Sequence, residues 1–275
     1  MKKFFLTLDF EEWYHLEYFK EIRKNQGFDF FIFKFDDFFN FLNHHDIKIT
    51  VFVVAELALK YPKIIKKISN HGHEIACHGL DHDLVYNKSC LDFKNELIKA
   101  KRILEDIIHM PVYGYRAPCF SMMDERLEVL KELKFKYDSS YIKFSQHKLY
   151  KTLKLNDFIK KDHLIYEKNS FFEFEIPTLN IFNILKLPIS GGGYFRILPS
   201  FIFNYFFKLY SRKNKNFNFF IHPFELDDSE IQINNTSFKN KLRFNYGRKN
   251  NFKKLMKFII SIKSDYKFSR LMDEL

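Results

Sequence analysis

A chain of 275 residues with 46% hydrophobic content can bury a sizeable core, and residues 1–275 read as a single domain rather than as a disordered or fibrous sequence. Cys77, Cys90 and Cys119 are odd in number and lack CxxC spacing, which excludes a disulfide framework or a cysteine zinc site. The net charge of +11 suits an acidic glycan, an anionic membrane face or nucleic acid, but the basic residues are scattered and no nucleic-acid-binding motif is present, so nucleic acid is set aside as a partner.

In chain order, Phe4 to Phe10 is an apolar run that reads as a buried strand with Asp9 near its C-terminal end. Asp36 to His44 has helical spacing, Lys48 to Val54 is a β-branched strand, and a helix begins near Pro62 and closes at Gly72. His73 to Cys77 reads as a short strand, Leu91 to Ile108 as a long amphipathic helix, Val112 to Arg116 as a strand and Glu125 to Leu133 as a helix. Residues 141–190 are irregular apart from a strand at Phe171 to Ile176. The aromatic segment at 201–210 has helical spacing and reads as core. Phe217 to Ile221 is a strand, residues 227–249 read as a long loop, and a helix near Phe252 to Ile262 precedes a last strand at Phe268 to Leu271. Strand and helix alternate, which predicts an α/β fold of parallel strands with active residues at the C-terminal strand ends. Asp9, His78, Arg116 and His222 all fall there.

Four histidines crowd HGHEIACHGLDH. His78 and His82 stand four apart, a spacing that on a helical turn puts both imidazoles on one face. Taken alone the pair fits a solvated or core-satisfied role as well as ligation. LTLDFEEW offers the missing carboxylate: Asp9 and Glu11 alternate to one side of a strand, so Glu11 is a better third ligand than Glu12. Two histidines and a carboxylate would leave a coordination position open, as catalytic zinc sites do, with Asp9 beside it as a general base. His71 and His73 are left to cap the preceding helix and support the strand, and Cys77 reads as a buried thiol.

The succession TLDFEEW, GHEIACHGLDH, YRAPCFS, FKYDSS and FFIHPFE resembles the NodB-homology polysaccharide deacetylases of carbohydrate esterase family 4 over roughly residues 4–225. With GGGYFR and the HP-E pattern it is most similar to members associated with exopolysaccharide or capsule synthesis. The resemblance implies a distorted (β/α) barrel of about seven parallel strands. It implies a divalent metal, zinc by preference, on Glu11, His78 and His82, with Glu11 standing where aspartate is usual. It also implies Asp9 as the catalytic base, Arg116 holding Asp9, His222 as the acid with Asp138 tuning it, and the backbone near Cys119 stabilising the oxyanion.

The expected activity is therefore hydrolysis of the N-acetyl group of an amino sugar in a surface polysaccharide or its precursor. A small-amide hydrolase of the allantoinase-like branch and a non-catalytic carbohydrate-binding relative are the alternatives. MKKFFLTLDF lacks a complete secretory h-region because Asp9, Glu11 and Glu12 interrupt it. A cytoplasmic enzyme, with peripheral contact to the inner membrane, acting on a nucleotide- or lipid-linked N-acetyl sugar is expected. Arg196 in GGGYFR is a candidate contact to that carrier or substrate, and a structural ion pair is an equal reading of a single arginine.

Overall fold

A computed structural model describes residues 1–25, 32–144, 146–181, 185–227, 233 and 235–275. The chain runs β1 (Lys2–Phe10), α1 (Ile32–His44), β2 (Thr50–Val53), α2 (Ala55–Lys60), α3 (Pro62–Asn70), β3 (Glu74–Cys77), α4 (Cys90–Ile108), β4 (Gly114–Tyr115), α5 (Asp124–Glu132) and β5 (Tyr137–Asp138). It continues through β6 (Ile159–Asp162), β7 (Ile165–Lys168), β8 (Phe171–Phe174), β9 (Leu179–Ile181), β10 (Leu185–Leu187), α6 (Gly192–Ile197), α7 (Ser200–Lys213), β11 (Phe217–Ile221), α8 (Pro223–Leu226), α9 (Phe238–Asn245), α10 (Asn251–Ile262) and β12 (Tyr266–Phe268).

The main sheet has the order β11-β1-β2-β3-β4-β5-β8-β7-β6, with β12 also on β1. From β11 to β8 every neighbouring pair is parallel, and helices connect most of these strands, as crossovers between parallel strands require. The two ends of this parallel run approach each other. Asn218 Nδ2 on β11 donates to the Glu175 carbonyl at 3.4 Å and to Ser139 Oγ at 3.3 Å, and Phe220 N–H donates to the Ser190 carbonyl at 2.9 Å. The result is the expected α/β barrel, irregular where residues 188–191 stand in for a strand.

β1 is buried on both faces because helices cover one and the barrel interior fills the other. Phe4, Leu6, Leu8 and Phe10 join the core between sheet and helices, while Phe5 packs inside the barrel with Phe52, Ala76, Tyr137, Phe174 and Leu271. Each fully buried phenylalanine contributes roughly 1.5–3 kcal/mol, so this strand is held firmly, and with it the acidic residues at its end.

Several local expectations change. Residues 159–168, expected to be irregular, form β6 and β7, which continue antiparallel from the expected strand at β8 on the edge of the parallel run, and 179–187 include a β9–β10 hairpin. The expected loop 227–249 contains α9, while its residues 228–232 and 234 lie outside the described residues. The last strand is Tyr266–Phe268, and Leu271–Glu274 is a 3-10 turn. No helix among the described residues is long and apolar enough to cross a membrane.

Candidate active site

At the C-terminal mouth of the barrel the ends of β1, β3, β4 and β11 bring Asp9, Glu11, His78, Arg116 and His222 together. Arg116 follows β4 and crosses the interior, fully buried. Its Nη1 donates to Asp9 Oδ1 at 2.7 Å and Thr7 Oγ1 at 2.8 Å, its Nε to the Ser139 carbonyl at 3.1 Å, and its Nη2 to Ser139 Oγ at 2.9 Å. The guanidinium also lies 4.1 Å over the Phe52 ring. A buried cation is tolerable only when paired and hydrogen-bonded in this way. The pairing fixes the Asp9 carboxylate through one oxygen and leaves Oδ2 facing the cleft side, 4.0 Å from His222 Nε2.

Glu11, His78 and His82 are all buried, and one ligand atom from each lies within 4.8 Å of the others. His78 Nε2 is 3.8 Å from Glu11 Oε2, and His82 Nε2 contacts the same oxygen. The His78 Nδ1–H donates to the Arg116 carbonyl at 2.7 Å, which assigns the lone pair to Nε2, as an imidazole ligand needs. Burial pushes His78 down to about 4, so its ring is neutral near pH 7. Burial alone would raise the Glu11 carboxyl, but the neighbouring imidazoles of His82, His222 and His78 hold it well below the usual range. Two neutral-capable imidazoles and one carboxylate fit a divalent ion of the zinc type.

The route by which the two histidines meet differs from a helical turn. Residues 78–84 are not helical. Gly79 has φ 83° and His82 φ 64°, and this left-handed bend folds the chain back until the rings lie 5.1 Å apart. Glycine supplies the first of these conformations without steric cost. Nearby, His71 Nδ1 bonds the Lys67 carbonyl at 2.7 Å at the end of α3, and His73 Nδ1 accepts from Ile49 N–H at 3.3 Å. Cys77 is a buried thiol whose ionisation burial pushes up to about 12.

His222 leads from β11 into α8. Its Nδ1 pairs with Glu225 Oε2 at 3.1 Å, and its backbone N–H donates to the same oxygen at 3.0 Å. Its Nε2 stands 3.5 Å from Glu11 Oε1. Burial disfavours the imidazolium, but Glu225 first, then Glu11 and Asp9, outweigh it and raise His222 to about 9. Glu225 is thus the partner of His222, a role the sequence reading left unassigned although HPFE places it three residues on. A Cβ at Gly192 would overlap the Glu225 carboxylate, which accounts for a glycine in GGGYFR.

Two expected roles are corrected. Asp138 does not reach His222, because strand alternation turns it away from the interior where Tyr137 and Ser139 point. Its Oδ1 accepts from Ser140 Oγ at 2.7 Å, and it faces Glu173 directly across the β5–β8 pair. Arg196 borders the cleft, but its guanidinium is engaged by the chain itself, the structural alternative that stood beside a ligand contact. That group is buried, donates to the carbonyls of Phe244 at 3.0 Å, Arg243 at 2.9 Å and Tyr246, and lies 3.5 Å from Glu225 Oε1. Cys119 lines the cleft with φ 50°, so its backbone is presented there in an unusual conformation.

The Asp138–Glu173 pair has a measurable consequence. Burial raises Asp138 to about 6 and Glu173 well above the carboxylate range, while Asp138 Oδ2 and Glu173 Oε2 have no donor from other described groups. A proton shared between them stabilises the fold. A carboxyl whose pKa is higher folded than unfolded contributes most below its unfolded value of about 4 and loses that contribution as pH rises through the folded value. Asp138→Asn supplies a permanent donor to Glu173. The Tm of the variant relative to wild type is expected to rise as pH increases from about 5 to 8, and a pH-independent difference would contradict the shared proton.

These groups open into a cleft of about 860 Å³ lined by Tyr18, Cys119, Phe120, Tyr150, Tyr194 and Phe220 among others. Its floor is acidic and its walls aromatic. One side wall is a small aromatic lobe in which Trp13, Tyr14 and Phe19 pack with Phe224, Ile233 and Phe244.

Residues 33–137 match the polysaccharide deacetylase family model, and residues 139–275 match a domain of unknown function, DUF3473. A peptidoglycan-N-acetylglucosamine deacetylase of Bacillus cereus is 30% identical over 94 residues, 34% of this chain and 34% of that protein. One from Listeria monocytogenes is 26% identical over 65 residues, 24% of this chain and 14% of that protein. The chain thus spans about a third or less of these relatives' length. Among solved structures, Puue allantoinase superposes with a TM-score of 0.60 at 17% identity, covering 98% of this chain and 88% of that chain. A carbohydrate esterase family 4 pseudoenzyme from Bacillus anthracis gives a TM-score of 0.54 at 14% identity, covering 99% and 64%. At these identities the two structures speak for the fold alone. Asp9 and Glu11 precede the deacetylase match, His78, His82 and Arg116 lie inside it, and His222 with Glu225 lies in the DUF3473 match, so one barrel mouth is assembled from all three segments. Residues 33–137 of this chain therefore carry a polysaccharide deacetylase family domain, within a fold that the chain shares over nearly its whole length with the two solved structures.

Proposed function

We propose that the protein is a metal-dependent hydrolase that removes the N-acetyl group from an amino sugar of a surface polysaccharide or its precursor. The observation that carries this reading is the convergence of Asp9, fixed by Arg116, and His222, paired with Glu225, on either side of the Glu11–His78–His82 set. Glu11, His78 and His82 would hold a divalent ion, zinc fitting the donor set best, and such an ion supplies Lewis acidity toward the amide carbonyl when bound. Asp9 accepts a proton from the attacking water through the oxygen that Arg116 leaves open. His222, kept protonated by Glu225, donates from Nε2 to the amide nitrogen as the carbon–nitrogen bond breaks. Water adds across the amide, and acetate and a free amine result.

A small cyclic amide would need a closed pocket, whereas an aromatic-walled cleft of about 860 Å³ suits a sugar, whose apolar faces stack on rings. The Bacillus anthracis protein that shares this fold is a pseudoenzyme; here the proposed acid, base and ligand positions all carry competent side chains. The enzyme is proposed to work at the cytoplasmic side on a nucleotide- or lipid-linked sugar. The free state of Cys77, Cys90 and Cys119 and the positive charge toward a diphosphate or anionic membrane face support this placement. Acetate release from nucleotide- or lipid-linked N-acetyl sugars is expected to exceed release from polymeric peptidoglycan or chitin, with the protein in the cytoplasmic or inner-membrane fraction. Activity confined to the polymers, with the protein outside the cytoplasm, would refute the precursor and location.

A further inference from the structure

The rim of the cleft carries exposed cations above a floor whose carboxylates are already paired. Arg243, on α9, and Lys148 both line the cleft and are exposed. Among the described residues neither makes an ion pair. Glu17, the acidic residue on the same rim, is engaged by Lys20 at 4.0 Å. The Arg243 guanidinium lies 4.8 Å over the Tyr18 ring, a contact that positions the cation without consuming any of its N–H donors. Its place is also fixed from behind. The Arg243 carbonyl accepts from Arg196 Nη2 at 2.9 Å, and Arg196 in turn lies 3.5 Å from Glu225, the partner of His222. The rim arginine and the proposed acid are therefore tied to one buried arginine, which sets the spacing between them.

We propose that Arg243, braced on Tyr18 and assisted by Lys148, binds an oxyanion group, phosphate or carboxylate, carried by the substrate beside its N-acetyl sugar. The inference rests on the deacetylase reading above and narrows its substrate class. On the floor Asp9 and Glu225 are already paired with Arg116 and His222, so that end is arranged around the acetamide and leaves the anion to be held elsewhere. The rim attracts the anion and offers it a planar fork of donors, the geometry in which a guanidinium grips phosphate or carboxylate. A substrate with a neutral acetamide at one end and an oxyanion at the other is thereby oriented before reaction, and a neutral oligosaccharide gains nothing from the rim.

The test compares metal-loaded wild type, Arg243→Gln and Arg243→Lys on a nucleotide-diphosphate-linked N-acetylhexosamine, an N-acetylhexosamine oligosaccharide bearing uronate carboxylates, and a neutral N-acetylhexosamine oligosaccharide. Loss of a charge-assisted contact is expected to raise KM for at least one anionic substrate about ten-fold or more in Arg243→Gln, with kcat retained, Arg243→Lys recovering part of the loss, and the neutral substrate unaffected. Which anionic arm responds distinguishes phosphate from carboxylate. An equal change on all three substrates, or none, in variants that melt like wild type would overturn the inference while leaving the deacetylase reading in place. Acetate release from none of them by wild type would overturn that reading and the inference with it.

Discussion

Asp9→Asn is expected to lower turnover by about 100-fold or more, the usual cost of losing a general base, while metal content stays near that of wild type. Asparagine keeps an oxygen for Arg116 Nη1, which now donates to Asp9 Oδ1 at 2.7 Å, so the guanidinium retains its hydrogen bonds to Thr7 and Ser139. What disappears is the negative charge and the basic Oδ2 near His222. The variant should therefore also melt lower than wild type, because removing one partner of a buried ion pair leaves the other charge uncompensated. The two effects separate in the kinetics: a proton-transfer defect appears in kcat at temperatures well below Tm, with KM little changed. A fully active Asp9→Asn protein would overturn the assignment of the base.

Much of this site was legible because strand periodicity carries a side chain's direction. In LTLDFEEW the alternation that buries Leu6 and Leu8 against the helices turns Thr7 and Asp9 inward, and β1 obeys it to its last residue. The GHEIACHGLDH segment likewise ends a short buried strand at Cys77, placing His78 at the mouth. The same rule, applied one step further, would have excluded Asp138. Tyr137 and Ser139 point into the barrel, so the residue between them faces outward to Glu173.

Features set by non-local contacts were not legible. Nothing in the spacing of His78 and His82 distinguishes a helical turn from the left-handed bend at Gly79 and His82, since both bring positions four apart together. The bend brings both rings to one oxygen of Glu11, a residue almost seventy positions earlier in the chain. α9 was hidden because Phe244 alone of its side chains is buried, too little to register as an amphipathic stripe. Arg196 illustrates the same limit. A guanidinium in a glycine-rich motif looks available for a ligand until α9 and the residue that follows it, nearly fifty residues later, cover it with three carbonyls. Arg243, one of the exposed cations at the rim, has as its partner Tyr18 from the opposite end of the chain.

His78→Ala and His82→Ala are each expected to lose metal, by more than the roughly 10–100-fold in affinity that removal of an outer hydrogen-bond partner costs. Each variant leaves two donors where the buried set has three, and a two-donor site holds a divalent ion poorly. Burial keeps His78 at about 4, so this ligand is deprotonated before the ion arrives, and occupancy should persist at neutral pH. As the solution is acidified toward that value, protons compete for the imidazole and metal is released. Chelation of the wild-type protein should abolish acetate release, with zinc restoring it. Because Arg116 accepts from His78 through its carbonyl and holds Asp9 through its side chain, His78→Ala also frees the segment that positions the base. It should therefore lose more activity than its residual metal content accounts for, whereas His82→Ala should lose activity in proportion to metal. Metal analysis after dialysis, set beside turnover for both variants, decides the matter: near-stoichiometric metal in both would remove Glu11, His78 and His82 as the binding site.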